Sequence, residues 1–193
     1  MNILTDALPS SVKIGNSTFD ITTDFRACVS FALMIEAGED NIYKLFAPFF
    51  PYGLPRDING AVEAVLYFFR GGDEIEDNPQ KSSKPAYSYN IDSEAIYADF
   101  WRYYNIDLSQ DNLHWWTFRS LLMGLPEDSN FKERIYYRTC NLKDLPKKEQ
   151  KRIANIRKEI EIKQAEKGGK ITLEQRNKQM IDYVTKRSNE LRG

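Results

Sequence analysis

An aromatic-rich stretch at residues 87–125 constrains the fold of this chain more than any other feature. It carries all three tryptophans, and its rings recur at helical spacing. Tyr, Trp and Phe side chains bury large areas, and Tyr and Trp keep one polar group that needs a hydrogen-bond partner. Such density builds either a small helical core or a protein-binding face. The core interpretation is the simpler one for Trp101, Trp115, Trp116 and Phe118.

Hydrophobic periodicity predicts a mainly α fold that begins with a short β-hairpin. Polarity alternates in residues 12–14 and 18–21, which flank Gly15 and Asn16, a pair suited to a tight turn. A hairpin alone is marginally stable, so it must pack against helices. Capping residues and apolar spacing of three and four predict those helices over residues 24–36, 41–49, 57–69, 93–104, 113–123, 130–139 and from 146 onward.

Two of these helices carry more specific expectations. Rings surround the helix at 93–104 and leave only a narrow polar strip at Glu94, Ala98 and Arg102. We therefore expect this helix to be buried on more than one side, in its own core or under a partner. Asn130 with Glu133 resembles a capping box for the helix that ends near Thr139.

Composition divides the chain into four parts. Residues 1–70 hold the hairpin and first helices, and residues 71–86 read as a charged linker rich in turn formers. Residues 87–142 form an aromatic helical subdomain, and residues 143–193 form a long charged helical extension. That extension has a net charge of +7 against −8 for the rest of the chain. Opposed charges of this kind attract each other within or between molecules.

The extension has narrow apolar seams that are typical of helix pairing. Ile153, Ile156 and Ile160 follow the first of them, and residues 168–169, a glycine pair, interrupt the helix. Thr172 begins a last helix whose seam contains Ile181, Val184 and Leu191. The isoleucine seam favours docking of its helix on another protein, and docking back on its own domain is the alternative.

Catalytic and metal-binding chemistry has little support. The single histidine, His114, is expected to cap or pack a helix start, because no nucleophile motif accompanies it. Cys28 and Cys140 are expected to be reduced thiols, and with one histidine they supply too few zinc ligands. The acidic residues 73–77 lack the spacing of a calcium loop. We therefore predict no catalytic residue, no metal and no cofactor.

The sequence also bears on phosphate, membrane and nucleic-acid partners. Residues 168–172 lack the first glycine and the hydroxyl residue of a phosphate-binding loop. No run approaches the roughly 20 apolar residues that span a bilayer, so we expect a soluble protein. The basic residues that favour nucleic-acid binding are Lys147, Lys148, Lys151, Arg152, Arg157 and Lys158. Acidic residues interleave with them, as on an ordinary solvated helix.

Residues 87–108 and 113–139 resemble a family of small tail-gene proteins of siphophages and prophages of Gram-positive bacteria. The resemblance runs from the N-terminal hairpin to about residue 160, and the HWWxFR stretch at residues 114–119 is its most distinctive element. It implies a tail assembly chaperone, encoded between the tail tube and tape measure proteins. Such a protein keeps the tape measure protein soluble in the host cytoplasm, helps recruit tube subunits and is absent from the finished virion.

The candidate partner-binding residues are the aromatic residues of the helical subdomain and the isoleucines of the extension: Trp101, Tyr104, Trp115, Trp116, Tyr136, Tyr137, Ile153, Ile156 and Ile160. Self-association is a further expectation, because an acidic body with a basic tail suits head-to-tail stacking. The alternative function is a nucleic-acid-binding or packaging accessory protein that uses the basic C-terminal helices.

Overall fold

The computed structural model describes residues 2–73 and 85–162. Over these residues it contains seven α-helices and one two-stranded antiparallel sheet, which confirms the predicted mainly α class with an N-terminal hairpin. Among the described residues, unit 1 comprises 2–73 and 112–119, and unit 2 comprises 85–111 and 120–162. The four predicted parts stay a prediction, because most of the proposed linker lies outside the described residues.

Unit 1 begins with the hairpin and continues with three helices that start where they were predicted. The hairpin pairs β1 (Ser11–Ile14) with β2 (Ser17–Asp20). Helix caps are Asp24, Asn41 and Asp57, each of which accepts a hydrogen bond from a backbone N–H of the first turn. The helices are α1 (Phe25–Glu36), α2 (Ile42–Phe46) followed by a 3-10 turn (Ala47–Phe49), and α3 (Ile58–Phe69).

The core of unit 1 is built around Phe31, which is fully buried. Its ring lies 5.4 Å from that of Phe46, 5.3 Å from that of Phe49 and 5.2 Å from that of Phe69, with tilted or edge-on geometry. Aromatic pairs prefer such geometries to a face-to-face stack. Rings from α1, α2, the 3-10 turn and α3 therefore meet in one aromatic cluster.

The hairpin packs against α3 through a glycine. Side chains alternate across a strand, so Val12 and Ile14 share one face, and Ile14 is buried. A Cβ atom at Gly60 would lie 2.7 Å from Cγ2 of Ile14, closer than carbon atoms approach. Only glycine lets the strand lie this near the helix.

The elements described in unit 2 are all helical. It contains α4 (Ser93–Asp99), a π-helix (Phe100–Tyr104), α6 (Asn130–Thr139), a 3-10 turn (Leu142–Asp144) and α7 (Lys147–Glu159). The division between the units falls within α5 (Trp115–Met123), after Arg119. The predicted helix at 93–104 is confirmed as a helical segment, but its last five residues take the π form.

One predicted cap was wrong by a residue. Ser129, not Asn130, is the N-cap of α6, and its hydroxyl accepts the Lys132 N–H at 3.3 Å. The amide of Asn130 instead donates to the Asp99 carboxylate at 2.9 Å. The Asn130 side chain, which the local pattern assigned to the cap, is used instead in a contact with a residue 31 positions away.

Residues 163–193 lie outside the described residues, so the predicted glycine break, the Thr172 cap and the last apolar seam stay predictions. Within the described ranges, no helix has the length and apolarity to span a bilayer. The same ranges hold no cluster of three or more His, Cys, Asp or Glu side chains arranged for a metal ion.

Candidate protein-binding surfaces

The HWWxFR stretch caps the carboxyl end of α3. The last carbonyl groups of a helix have no donor within the helix. The indole N–H of Trp116 donates to the Phe68 carbonyl and that of Trp115 donates to the Phe69 carbonyl, each at 2.8 Å. The Arg119 guanidinium donates to the Arg70 carbonyl. Three side chains from one turn of α5 thus satisfy three successive carbonyls.

Two glycines after α3 make room for this cap. Both Gly71 and Gly72 have positive φ, at 82° and 85°, a conformation that other residues rarely adopt. A Cβ atom at Gly71 would lie 2.0 Å from a guanidinium nitrogen of Arg119, and one at Gly72 would lie 2.9 Å from the Trp116 ring. The glycine pair therefore ends α3 and also admits the side chains that cap it.

His114 has a structural role at the start of α5. Its Nδ1 accepts the Trp116 N–H at 3.1 Å, and its Nε2–H donates to the Pro9 carbonyl at 3.0 Å. These two bonds require a neutral ring with the proton on Nε2. The expectation that His114 caps or packs a helix start is confirmed.

The rings of the same stretch fill the core of unit 1. Trp115 is 2% exposed and stacks on Phe69, with centroids 5.1 Å apart. Trp116 is 7% exposed, and Phe118 stacks on Phe25 at 4.6 Å. Trp115 and Trp116, two of the three tryptophans proposed as partner-binding residues, thus lie inside the unit, in agreement with the simpler core interpretation. Their indole donors are already used.

A buried carboxylate organises unit 2. Asp92 is fully buried, and its oxygens accept from Arg138 at 2.7 and 2.8 Å and from Arg134 at 3.2 Å. It also accepts the Ser88 N–H at 3.0 Å. Arg138 further donates to the carbonyls of Ala86 and Ile160. Charged groups are buried only when paired and hydrogen-bonded, as here. Our sequence reasoning missed this cluster, although arginines four apart in α6 could have indicated a shared acidic partner.

A second buried carboxylate ties α4 to α6. Asp99 accepts the backbone N–H of Phe131 at 2.8 Å and that of Asn130 at 3.3 Å. These groups lie at the amino end of α6, where the helix dipole favours a negative charge. Asp92 and Asp99 together fix the inner face of α4 against α6.

The outer face of the same helical segment exposes an aromatic pair, Tyr97 and Trp101, which we call the 97/101 strip. Tyr97 is 41% exposed and Trp101 is 53% exposed. The polar strip predicted at Glu94, Ala98 and Arg102 is exposed as expected, but it is wider because it includes these two rings. One side of the helix is therefore buried within unit 2, because Asp92 and Asp99 orient that face inward. Burial of the outer side, which needs a partner, stays a prediction.

The 97/101 strip is held at one end by a hydrogen-bonded loop. The Tyr97 hydroxyl donates to Oδ1 of Asp107 at 3.0 Å. The hydroxyl and backbone N–H of Ser109 also donate to this oxygen, at 2.6 and 2.9 Å. These bonds, the Ser109 hydroxyl first, lower the pKa of the Asp107 carboxyl from its ordinary value. The Tyr97 ring is thereby fixed while its face stays open to solvent.

The remaining candidate residues of unit 2 differ in exposure. Tyr136 is 49% exposed, whereas Tyr137 and Tyr104 are half-buried. The Tyr104 hydroxyl donates to the Leu121 carbonyl at 2.8 Å, and desolvation raises its pKa. In α7, Ile153 and Ile160 are buried, and Ile156 is half-buried. Of the nine proposed residues, Trp101 and Tyr136 are the exposed ones.

The basic residues of α7 divide into two groups. Arg157 donates to the carbonyls of Tyr137 and Cys140, so its guanidinium is used within unit 2. The other five cations named for nucleic-acid binding are exposed, with the exposed Glu149 and Glu159 among them. A mixed-charge face of this kind is typical of a solvated helix.

The two cysteines are free thiols in different surroundings. Burial raises the pKa of the Cys28 thiol, and the nearby charge of Asp24 adds to the effect. Cys28 is therefore protonated at neutral pH and packs as a small apolar side chain. Cys140 is half-buried, with its sulfur 3.3 Å from an Arg157 nitrogen.

Comparison with protein families gives the class of this molecule: it is a bacteriophage protein. Residues 4–162 match the model of the family described as Bacteriophage Gp15 protein, and the chain belongs to that family. The matched range agrees with the extent of the resemblance inferred from sequence. Membership identifies a phage structural or morphogenesis protein. No curated protein and no solved structure matches the chain.

Proposed function

We propose that this protein is a tail assembly chaperone that binds the tape measure protein in the host cytoplasm. In this role it helps to recruit tail tube subunits, performs no catalysis and leaves before the virion is complete. Membership in a phage structural or morphogenesis family supports the proposal. The observation that carries it is the 97/101 strip, where Trp101 stays 53% exposed beside Tyr97.

The strip has the properties of a contact point for an apolar polypeptide. Trp and Tyr dominate the energetics of protein interfaces, because each buries a large ring and loses little side-chain entropy. Apolar surface removed from water contributes about 25 cal/mol per Å². A partner that covers the exposed Trp101 ring therefore gains binding free energy from the burial of its apolar surface.

The scaffold beneath the strip reduces the entropic cost of binding. Asp99 joins the inner face of α4 to the first turn of α6, and Asp107 fixes the Tyr97 hydroxyl. A ring that is already ordered loses little freedom when a partner covers it. A chaperone for a long client needs many such contacts, each of moderate strength.

Solubility of the complex is the second requirement for a chaperone of an apolar client. Helix α7 presents exposed lysines, including Lys147, Lys148 and Lys151. Charged surface of this kind keeps an assembly soluble. In this proposal the 97/101 strip binds the client and the charged helix α7 keeps the complex in solution.

Co-expression with segments of the tape measure protein tests the proposal. We expect the wild type to keep a segment soluble and to co-purify with it. The double variant Tyr97→Ser, Trp101→Ser should weaken the complex at least about tenfold, since removal of an interface tryptophan costs about 2 kcal/mol or more. Tyr52→Ser is the matched control, because Tyr52 is 88% exposed but lies in unit 1.

Three outcomes would count against the proposal. One is a wild-type protein that leaves every tape measure segment insoluble. Another is an equal loss of binding in the Tyr52→Ser control and in the double variant. The third is retention on DNA or RNA that falls steeply with added salt, which would favour the nucleic-acid alternative.

A further inference from the structure

A groove in unit 1 runs between β1 and α3. Its volume is about 540 Å³, within the range of about 300–1,000 Å³ typical of ligand pockets. The strand wall consists of the consecutive residues 11–15, and the helix wall includes Gly60, Ala64 and Tyr67. Phe68 and Trp116 also line the groove. Consecutive strand residues point their side chains to opposite faces of the hairpin. Because consecutive residues line the strand wall, the groove follows the backbone edge of β1.

That edge offers unused backbone groups. Paired residues in an antiparallel ladder alternate between hydrogen-bonded and non-hydrogen-bonded pairs. The Ile21 N–H donates to the Ser10 carbonyl, so the Ser11 and Asp20 pair is non-bonded, as is the Lys13 and Thr18 pair. The N–H and C=O groups of Ser11 and Lys13 therefore point away from β2, and no backbone group among the described residues pairs with them.

We infer that this groove binds one extended segment of a partner protein, which adds as a third strand to the free edge of β1. The segment would form main-chain hydrogen bonds with Ser11 and Lys13 and would place alternate apolar side chains against α3. Strand addition of this kind combines backbone bonds for affinity with side-chain pockets for specificity. The inference concerns unit 1 and does not rest on the proposed chaperone function.

Charge defines the chemistry of the segment. Lys13 lies on the strand wall and Glu63 on the helix wall, and both are exposed. Lys13 shares the polar face of the hairpin with Thr18, whereas Ile14 faces α3. The complementary segment has apolar residues directed at the helix wall and an acidic residue on the face of Lys13. A segment of about five residues spans the edge of β1, which has four residues.

A synthetic peptide, acetyl-Val-Thr-Val-Asp-Val-amide, is the probe for the test. Titration into the isotopically labelled full chain should give saturable NMR shifts at β1, along α3 and at the Trp116 indole. We expect saturable binding with a dissociation constant below about 1 mM, as for a short peptide of moderate affinity. The absence of saturable shifts at these residues overturns the inference.

Three variants separate strand addition from other modes of binding. Lys13→Pro removes the N–H on the groove edge, and Thr18→Pro removes the matched N–H on the opposite edge of the hairpin. Proline is tolerated at edge positions whose N–H is not used in the ladder. Ala64→Trp fills the groove from the helix wall and leaves the hairpin unchanged.

We expect Lys13→Pro and Ala64→Trp to weaken peptide binding at least about tenfold, and Thr18→Pro to leave it within about twofold. Contacts between Val12 and Phe19 in NOE spectra check that each hairpin is intact. If Lys13→Pro disrupts the hairpin, Ala64→Trp decides the question. Wild-type affinity in Ala64→Trp, or an equal loss in Thr18→Pro, overturns the inference.

Discussion

Arg138 holds the buried carboxylate of Asp92 with two guanidinium nitrogens, at 2.7 and 2.8 Å. The same guanidinium also donates hydrogen bonds to the carbonyls of Ala86 and Ile160. One ion pair thus joins the start of unit 2 to α6 and to the end of α7.

Asp92→Asn should therefore destabilise unit 2 strongly. The substitution leaves Arg138 and Arg134 facing a neutral amide, and the loss of one partner of a buried pair costs about 3–5 kcal/mol. Denaturant unfolding followed by hydrogen exchange of α6 amides measures the effect. Glu94→Gln, an exposed change in the first turn of α4, is the control and should cost at most a few tenths of a kcal/mol. Equal stability of Asp92→Asn and Glu94→Gln would contradict the assigned role.

Replacement of each tryptophan by phenylalanine should separate the capping rings from the exposed ring. Trp115→Phe leaves the Phe69 carbonyl without its donor, which costs about 1–3 kcal/mol. Trp116→Phe removes one of two donors to the Phe68 carbonyl, which also accepts the Gly71 N–H at 3.0 Å, so its loss should be the smaller of the two. Trp101→Phe should be nearly neutral, because that ring is half in solvent. Thermal unfolding measures all three. A larger loss for Trp101→Phe than for the other two would refute this division.

The same three variants predict a fluorescence result. Trp101 is the exposed tryptophan and the other two are buried, so acrylamide should quench mainly the Trp101 emission. We expect Trp101→Phe to remove most of the quenchable fraction and Trp115→Phe to leave it. Strong quenching that persists in Trp101→Phe would show that the buried pair is open to solvent.

Gly60→Ala should loosen the hairpin from α3. A Cβ atom there would lie 2.7 Å from both Ile14 Cγ2 and Asp57 Oδ2, and overpacking costs about 1–3 kcal/mol. Alanine is the better helix former by about 1 kcal/mol, so the clash must exceed that gain. Glu63→Ala, an exposed change in the same helix, is the control. Adding Ile14→Ala to Gly60→Ala should recover part of the loss, as a double-mutant cycle would detect.

The Asp107 carboxyl should titrate below its ordinary range. Its folded pKa is lowered by the Ser109 hydroxyl first, so its contribution to stability is full above the unfolded pKa and is lost as the pH falls through the folded pKa. Carboxyl carbon shifts recorded against pH measure the midpoint. Ser109→Ala should move that midpoint upward, and a midpoint that does not move would rule out the hydroxyl as the main cause.

Local signals determined much of the fold. Asp24, Asn41 and Asp57 start their helices where predicted, because an N-cap needs only a side chain and the next turn of backbone. Gly15 and Asn16 placed the hairpin turn for the same reason. His114 also had its expected structural role, since its bond to the Trp116 N–H spans two residues.

Long-range contacts decided the rest. The indole bonds of Trp115 and Trp116 span 46 and 48 residues, and Arg138 and Asp92 are 46 residues apart. Periodicity shows that a ring is apolar and faces one side of a helix, but it does not show which distant surface covers that side. For this reason sequence alone grouped Trp101 with Trp115 and Trp116.

The amino-acid sequence by itself determined the helical class, the hairpin, most helix starts and the phage family of this protein. Only the tertiary structure decided which aromatic side chains are used internally and which remain for a partner. The physical reason is that two buried carboxylates, Asp92 and Asp99, direct one face of α4 inward and leave the 97/101 strip in solvent.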